Sequence, residues 1–105
     1  FQQIAHRGGE GLSHDVRMVI TKDGKLKSVT LNGEPVDPEK SYRVATLDYL
    51  AEGNDQLVAF KSGTDVFAPK QKENNVRYII MNYFREMQAQ GKVVESKIEG
   101  RCVVE

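Results

Sequence analysis

Three features of the 105-residue sequence predict an α+β fold: an antiparallel or mixed sheet with one long amphipathic helix, at about 75–90, packed on it. Val16, Met18 and Ile20 alternate with Arg17, Val19 and Thr21, the period of a half-buried strand. Asp23-Gly24 and Asn32-Gly33 follow at hairpin spacing, and both dipeptides favour two-residue turns with positive φ. Val76, Ile79, Ile80, Tyr83 and Met87 recur at i, i+3, i+4, i+7 and i+11, one stripe of helical period.

Each element follows in order. The opening stretch FQQIAHRGGEGLSHD carries Gly8, Gly9 and Gly11 and reads as an irregular loop. Strands are expected near 16–21 and 26–31, the second carrying Leu26, Val29 and Leu31. Pro35 and Pro38 keep EPVDPEKS out of a central strand, because proline has no N–H to give to a ladder. Tyr42, Val44 and Thr46 alternate again and predict a strand over 42–48. The connection 58–73 has Phe60 and Phe67 as its expected anchors. Asn74 or Asn75 can cap the helix, and Gly91 stands where a left-handed residue would end it. Ile98, Cys102 and Val104 predict a last strand over 97–104. Residues 1–105 thus read as a single unit without repeats or low-complexity tracts.

Composition excludes several classes of function. Lysine and arginine together equal aspartate and glutamate at 15 each, so no basic field exists to hold a nucleic-acid backbone. No run of 18 apolar residues is present to span a membrane, and no charged n-region and apolar h-region open the chain, so a signal peptide is expected to be absent or already removed. Cys102 is the single cysteine and reads as a small buried hydrophobe.

The search for catalytic chemistry finds no complete set. His6 and His14 are the only histidines; they lie in a glycine-rich loop without a third ligand, so no metal site is expected. Ser13 is not in a G-x-S-x-G elbow, and GGEG lacks the lysine of a phosphate-binding loop. What remains is YRVATLDYLAEGNDQL, residues 42–57, where a ring is followed at once by a glycine and a carboxylate. An ordinary turn needs only the glycine. On these residues alone, Tyr49 reads as a core ring and Asp55 as turn chemistry.

This stretch resembles the tyrosine–x–valine–alanine–threonine–asparagine–aromatic–leucine–alanine–x–glycine–glycine–aspartate–glycine motif of the 5′-nucleotidase C-terminal domain. DGKLKSVTLNGEPVDPEKS is similar to that domain's hairpin and its approach to the motif strand, and the later helix and IEGR strand keep the same order. The chain looks like the second part of that domain. The resemblance implies a substrate-binding role. Tyr49 would supply a stacking face for a base, worth about 1–3 kcal/mol by analogy with nucleic-acid stacking. Asp55 would accept hydrogen bonds from the ribose hydroxyls, while Gly53 and Asn54 shape the loop.

The implied ligand is a nucleoside or nucleoside 5′-monophosphate, in nucleotide catabolism. The implied partners are a metallophosphoesterase domain and the first part of the C-terminal domain. The divalent ions of a two-metal centre would belong to that other domain, and this chain would hold no cofactor. The family implies a periplasmic, cell-surface or secreted location.

This sequence departs from the family at three positions. Asn54 and Gln56 replace motif glycines, and glutamine tolerates left-handed backbone poorly, so a different loop path is expected. Gly9 stands where the second stacking ring would be. The alternative reading is therefore a degenerate, non-catalytic binding or interaction module of the same fold that pairs through its sheet. Uncovered apolar strand faces would make such a chain self-associate.

Overall fold

The computed structural model describes residues 1–105 and divides into two compact units, Phe1–Thr64 with Ile98–Glu105, and Asp65–Lys97. The first unit holds a four-stranded mixed sheet. β1 is Val16–Ile20, β2 Leu26–Leu31, β3 Glu34–Pro35 and β4 Cys102–Val104, in the order β3-β2-β1-β4. β1 pairs antiparallel with β2 from Val16↔Leu31 to Ile20↔Leu26, with an irregularity between Val19 and Ile20. β4 joins the other side of β1 in parallel, Met18↔Cys102.

The two hairpins differ in their turns. Asn32 and Gly33 both have positive φ (52° and 83°) between the paired residues Leu31 and Glu34, the conformation that a two-residue type I′ turn requires. At the first hairpin only Gly24 is left-handed, at φ 80°, so the predicted type I′ turn at Asp23-Gly24 is not formed. Thr21 explains the wider connection. Its Oγ1 donates to Asp23 and accepts the Lys25 N–H, which spreads the turn over three residues.

The core lies on the face of β1 where Met18 and Ile20 point, and both are fully buried. Burying such side chains is worth about 1.5–3 kcal/mol each. Ile4, Ala5 and Leu57 complete the cluster, with Leu12, Leu26, Val29, Leu50, Phe60 and Cys102 against its edge. Ile4 and Ala5 come from a short helix, α1 (Gln2–His6), inside the stretch expected to be irregular. Five residues are too few to show a period in the sequence, and burial on the core holds the helix in place of intrinsic propensity.

The strand expected over 42–48 is not formed. Residues 41–47 join no ladder, with Val44 and Leu47 exposed, and Asp48–Ala51 turn instead into α2. Strand propensity expresses packing on a pleated neighbour, and this segment has none. The last strand is likewise shorter than 97–104, because Gly100 at φ 69° breaks the extended run before Cys102.

In the second unit, α3 spans Val76–Ala89. Asn75 caps it through Oδ1, which accepts the Arg77 N–H. At the other end Gly91 is left-handed at φ 69°. The Lys92 N–H donates to Met87 and the Gly91 N–H to Gln88, which makes a Schellman motif. The expected burial of the apolar stripe is corrected, however. No residue of α3 is buried, and Ile80 at its centre is 50% exposed. Asp65–Lys97 contains besides α3 only a 3₁₀ turn at Lys72–Asn74, too little to cover a four-turn helix. Phe67, expected as an anchor, is exposed, whereas Phe60 does pack against the core.

Candidate functional site

The loop after α2 is built from the residues that the sequence singles out. Asp48–Ala51 forms one helical turn, and Gly53 ends it with φ 88° while its N–H donates to Leu50. A Cβ on Gly53 would come within 2.8 Å of Lys61 Cε, so the lysine stem lies across this glycine. The Asn54 side-chain amide donates to the Tyr49 carbonyl at 2.8 Å and fastens the loop back onto α2. Asp55 and Gln56 are both left-handed, with φ of 55° and 67°. Gln56 thus takes the conformation that a motif glycine takes freely, at the cost of Cβ crowding. Leu57 then drops into the core at 2% exposure and anchors the end of the loop.

Tyr49 and Asp55 come together on this frame. The Tyr49 hydroxyl donates to Asp55 Oδ1 at 3.3 Å. The tyrosine is 53% exposed, so its ring is not a core ring. Asp55 Oδ2 faces Arg7 Nη1 at 3.8 Å, and Arg7 also pairs with Glu10 at 2.9 Å. Arg7 is not among the expected site residues, because the family's ligand-binding arginines lie largely outside the matching stretch and do not carry over to Arg7 or Arg17. A flat π-face, an ionisable carboxylate and a guanidinium can together hold a planar apolar group bearing hydroxyls.

The other predicted features lie apart. Gly9 has φ 122°, where an L side chain is strained, and a Cβ there would meet Cys102 Sγ tightly at 3.3 Å. His6 ends α1 and His14 lies in the loop before β1, both exposed. No group of three or more His, Cys, Asp and Glu side chains is placed to hold a metal ion. No helix is long and apolar enough to cross a membrane. Cys102 is free and only half-buried.

The chain is 56% identical over 36 residues to Protein UshA of Escherichia coli K12, a stretch covering 34% of this chain and 6% of that protein. It is 34% identical over 80 residues to Cell wall protein Lmo0130 of Listeria monocytogenes, covering 75% of this chain and 10% of that protein. The chain therefore spans a small part of the length of the curated relatives it matches. No solved structure matches it. The family described as 5′-nucleotidase, C-terminal domain, matches residues 6–62, which include β1, β2, β3, α2 and the loop bearing Asp55. The chain belongs to the 5′-nucleotidase C-terminal domain family.

Proposed function

We propose that this chain is the nucleoside-recognising part of a 5′-nucleotidase-type phosphomonoester hydrolase acting in nucleotide catabolism. The observation that carries the proposal is the exposed Tyr49 ring beside the Asp55 carboxylate, six positions along the chain. The ring offers a rigid face to a base. The carboxylate, an ionised acceptor, takes hydrogen bonds from a vicinal diol, and such charge-assisted bonds are the stronger ones. Gly53 and Asn54 set the loop path that brings the two groups together. Residues 1–105 then form part of one substrate-binding domain.

Hydrolysis is the work of a separate metallophosphoesterase domain with its own two-metal centre. The side chains of this chain do not fit such a centre, and no hydrolytic step is assigned to them. The first part of the C-terminal domain would complete the site around the ligand. A periplasmic or cell-surface location is supported by similarity to a relative named as a cell wall protein.

Gly9 favours a second reading, a module of the same fold that has lost nucleotide recognition and pairs through its sheet. Equilibrium binding of AMP, adenosine and ribose 5-phosphate separates the two. The first reading requires AMP and adenosine to bind and Tyr49→Ala to weaken both. Absence of binding, together with a mass that rises with concentration, would replace it with the second.

A further inference from the structure

Asp55 stands in a conformation that L-residues other than asparagine and aspartate seldom adopt, φ 55°, with its side chain 44% exposed. A carboxylate so placed on a loop tip has wide rotational freedom unless something outside the loop holds it. Two groups face it. The Tyr49 hydroxyl takes Oδ1 from within the same segment, and Arg7 Nη1 faces Oδ2 from a distant one.

Arg7 is itself fixed. It caps α1 at its C-terminal end, and α1 is tied to the far side of the loop at two points. Ile4 and Ala5 share the core with Leu57, and the Gln3 side chain accepts the Ala59 N–H at 2.9 Å. Glu10 then holds the guanidinium at 2.9 Å from the other direction. The distance to Asp55, 3.8 Å, is that of an ion pair and not of a formed hydrogen bond. Such an arrangement orients the carboxylate without a hydrogen bond on Oδ2, whose lone pairs stay open to a ligand while Oδ1 accepts from Tyr49.

We propose that Arg7 is a positioning residue for Asp55, and that it sets the preference of this site for a ribose diol over a deoxyribose. The proposal rests on the nucleoside reading of the site and deepens it. Exposed ion pairs contribute little to stability, so Arg7→Ala should fold.

The test compares adenosine and 2′-deoxyadenosine binding by calorimetry for the wild-type chain, Arg7→Ala and Arg7→Lys, with the backbone order parameter of Asp55 from ¹⁵N relaxation. Arg7→Ala is expected to weaken adenosine binding about tenfold, the scale of one charge-assisted hydrogen bond. It should leave 2′-deoxyadenosine within about twofold, and Arg7→Lys should recover part of the loss, since a point charge lacks the planar fork. The Asp55 order parameter should fall in Arg7→Ala. Equal weakening of both nucleosides, or no change in either, would overturn the proposal. If the wild-type chain binds neither nucleoside, the functional reading fails by itself. The order parameter then decides alone whether Arg7 positions Asp55: a fall upholds it and an unchanged value rejects it.

Discussion

Oε1 of Gln3 accepts the N–H of Ala59 at 2.9 Å and joins two segments 56 positions apart. It is an exposed side-chain bond that links the same two segments as the buried cluster holding Ile4 and Leu57. Removing one partner of such a bond typically costs about 0.5–1.5 kcal/mol. Gln3→Ala is expected to lower the stability of the sheet unit by that amount and to speed hydrogen exchange at Ala59. Denaturant unfolding and amide exchange measure the two effects separately.

The core and the long helix should respond very differently to substitution. Met18 is fully buried on β1, and Met18→Ala is expected to cost about 2–5 kcal/mol through lost contacts and an unfilled cavity. Ile80 lies on the apolar stripe but is half exposed, so Ile80→Asp should cost no more than about 0.5 kcal/mol. Were the stripe buried, an unpaired carboxylate there would unfold the chain. Thermal unfolding of both variants, followed by circular dichroism, gives the comparison.

At the candidate site, the ring and the hydroxyl of Tyr49 can be separated. Tyr49→Phe keeps the π-face and should retain adenosine binding, whereas Tyr49→Ala should lose about 1–3 kcal/mol. A Tyr49→Ala chain that binds as tightly as wild type would remove stacking from the mechanism.

Acid should reveal the turn before β1. Ser13 Oγ donates to Asp15, and this bond, helped by a backbone N–H, holds the Asp15 carboxyl below its ordinary value of 3.8. A depressed folded pKa means that the stabilising effect is complete above pH 3.8 and fades as pH falls through the folded value. Ser13→Ala should therefore be less stable than wild type near neutrality, and the difference should close in strong acid. Urea midpoints measured against pH for both chains show whether the curves converge.

The purified 105-residue chain should release no phosphate from AMP in the presence of divalent metal ions, because no cluster of its side chains fits a metal. A phosphate-release assay with manganese or zinc decides this directly.

Local chemistry made much of the fold legible in advance. The alternation at Val16, Met18 and Ile20, the Asn32-Gly33 turn, the Asn75 cap and the Gly91 stop each depend on a few neighbouring residues, and each formed. Features that depend on distant partners were less visible. Tyr42–Leu47 has strand chemistry without a strand beside it, and α3 has a core-like stripe in a segment with too little structure of its own to bury it. The short α1 was hidden because its reason for being helical, the Met18 and Leu57 cluster, lies elsewhere in the chain. At the site, the motif pointed to Tyr49, Gly53, Asn54 and Asp55, and the structure brings the first and last together. Arg7 reaches the same place only through the docking of α1, which no spacing in the sequence encodes.

The parallel pairing of β4 with β1 has a consequence for how the chain assembles. The chain leaves the sheet unit at Thr64 and re-enters it at Ile98, so 65–97 is an excursion between two parts of one unit. The β1–β2 hairpin closes a short loop and can form early, while β4 must find Met18 from the opposite end of the sequence. Loop-closure entropy rises only with the logarithm of length, about 0.6 kcal/mol for each doubling. The excursion can therefore grow or shrink with little effect on the finished sheet. Its length instead governs how long the unpaired edge of β1 waits for its last strand, and during that wait the hairpin is open to pairing with another chain.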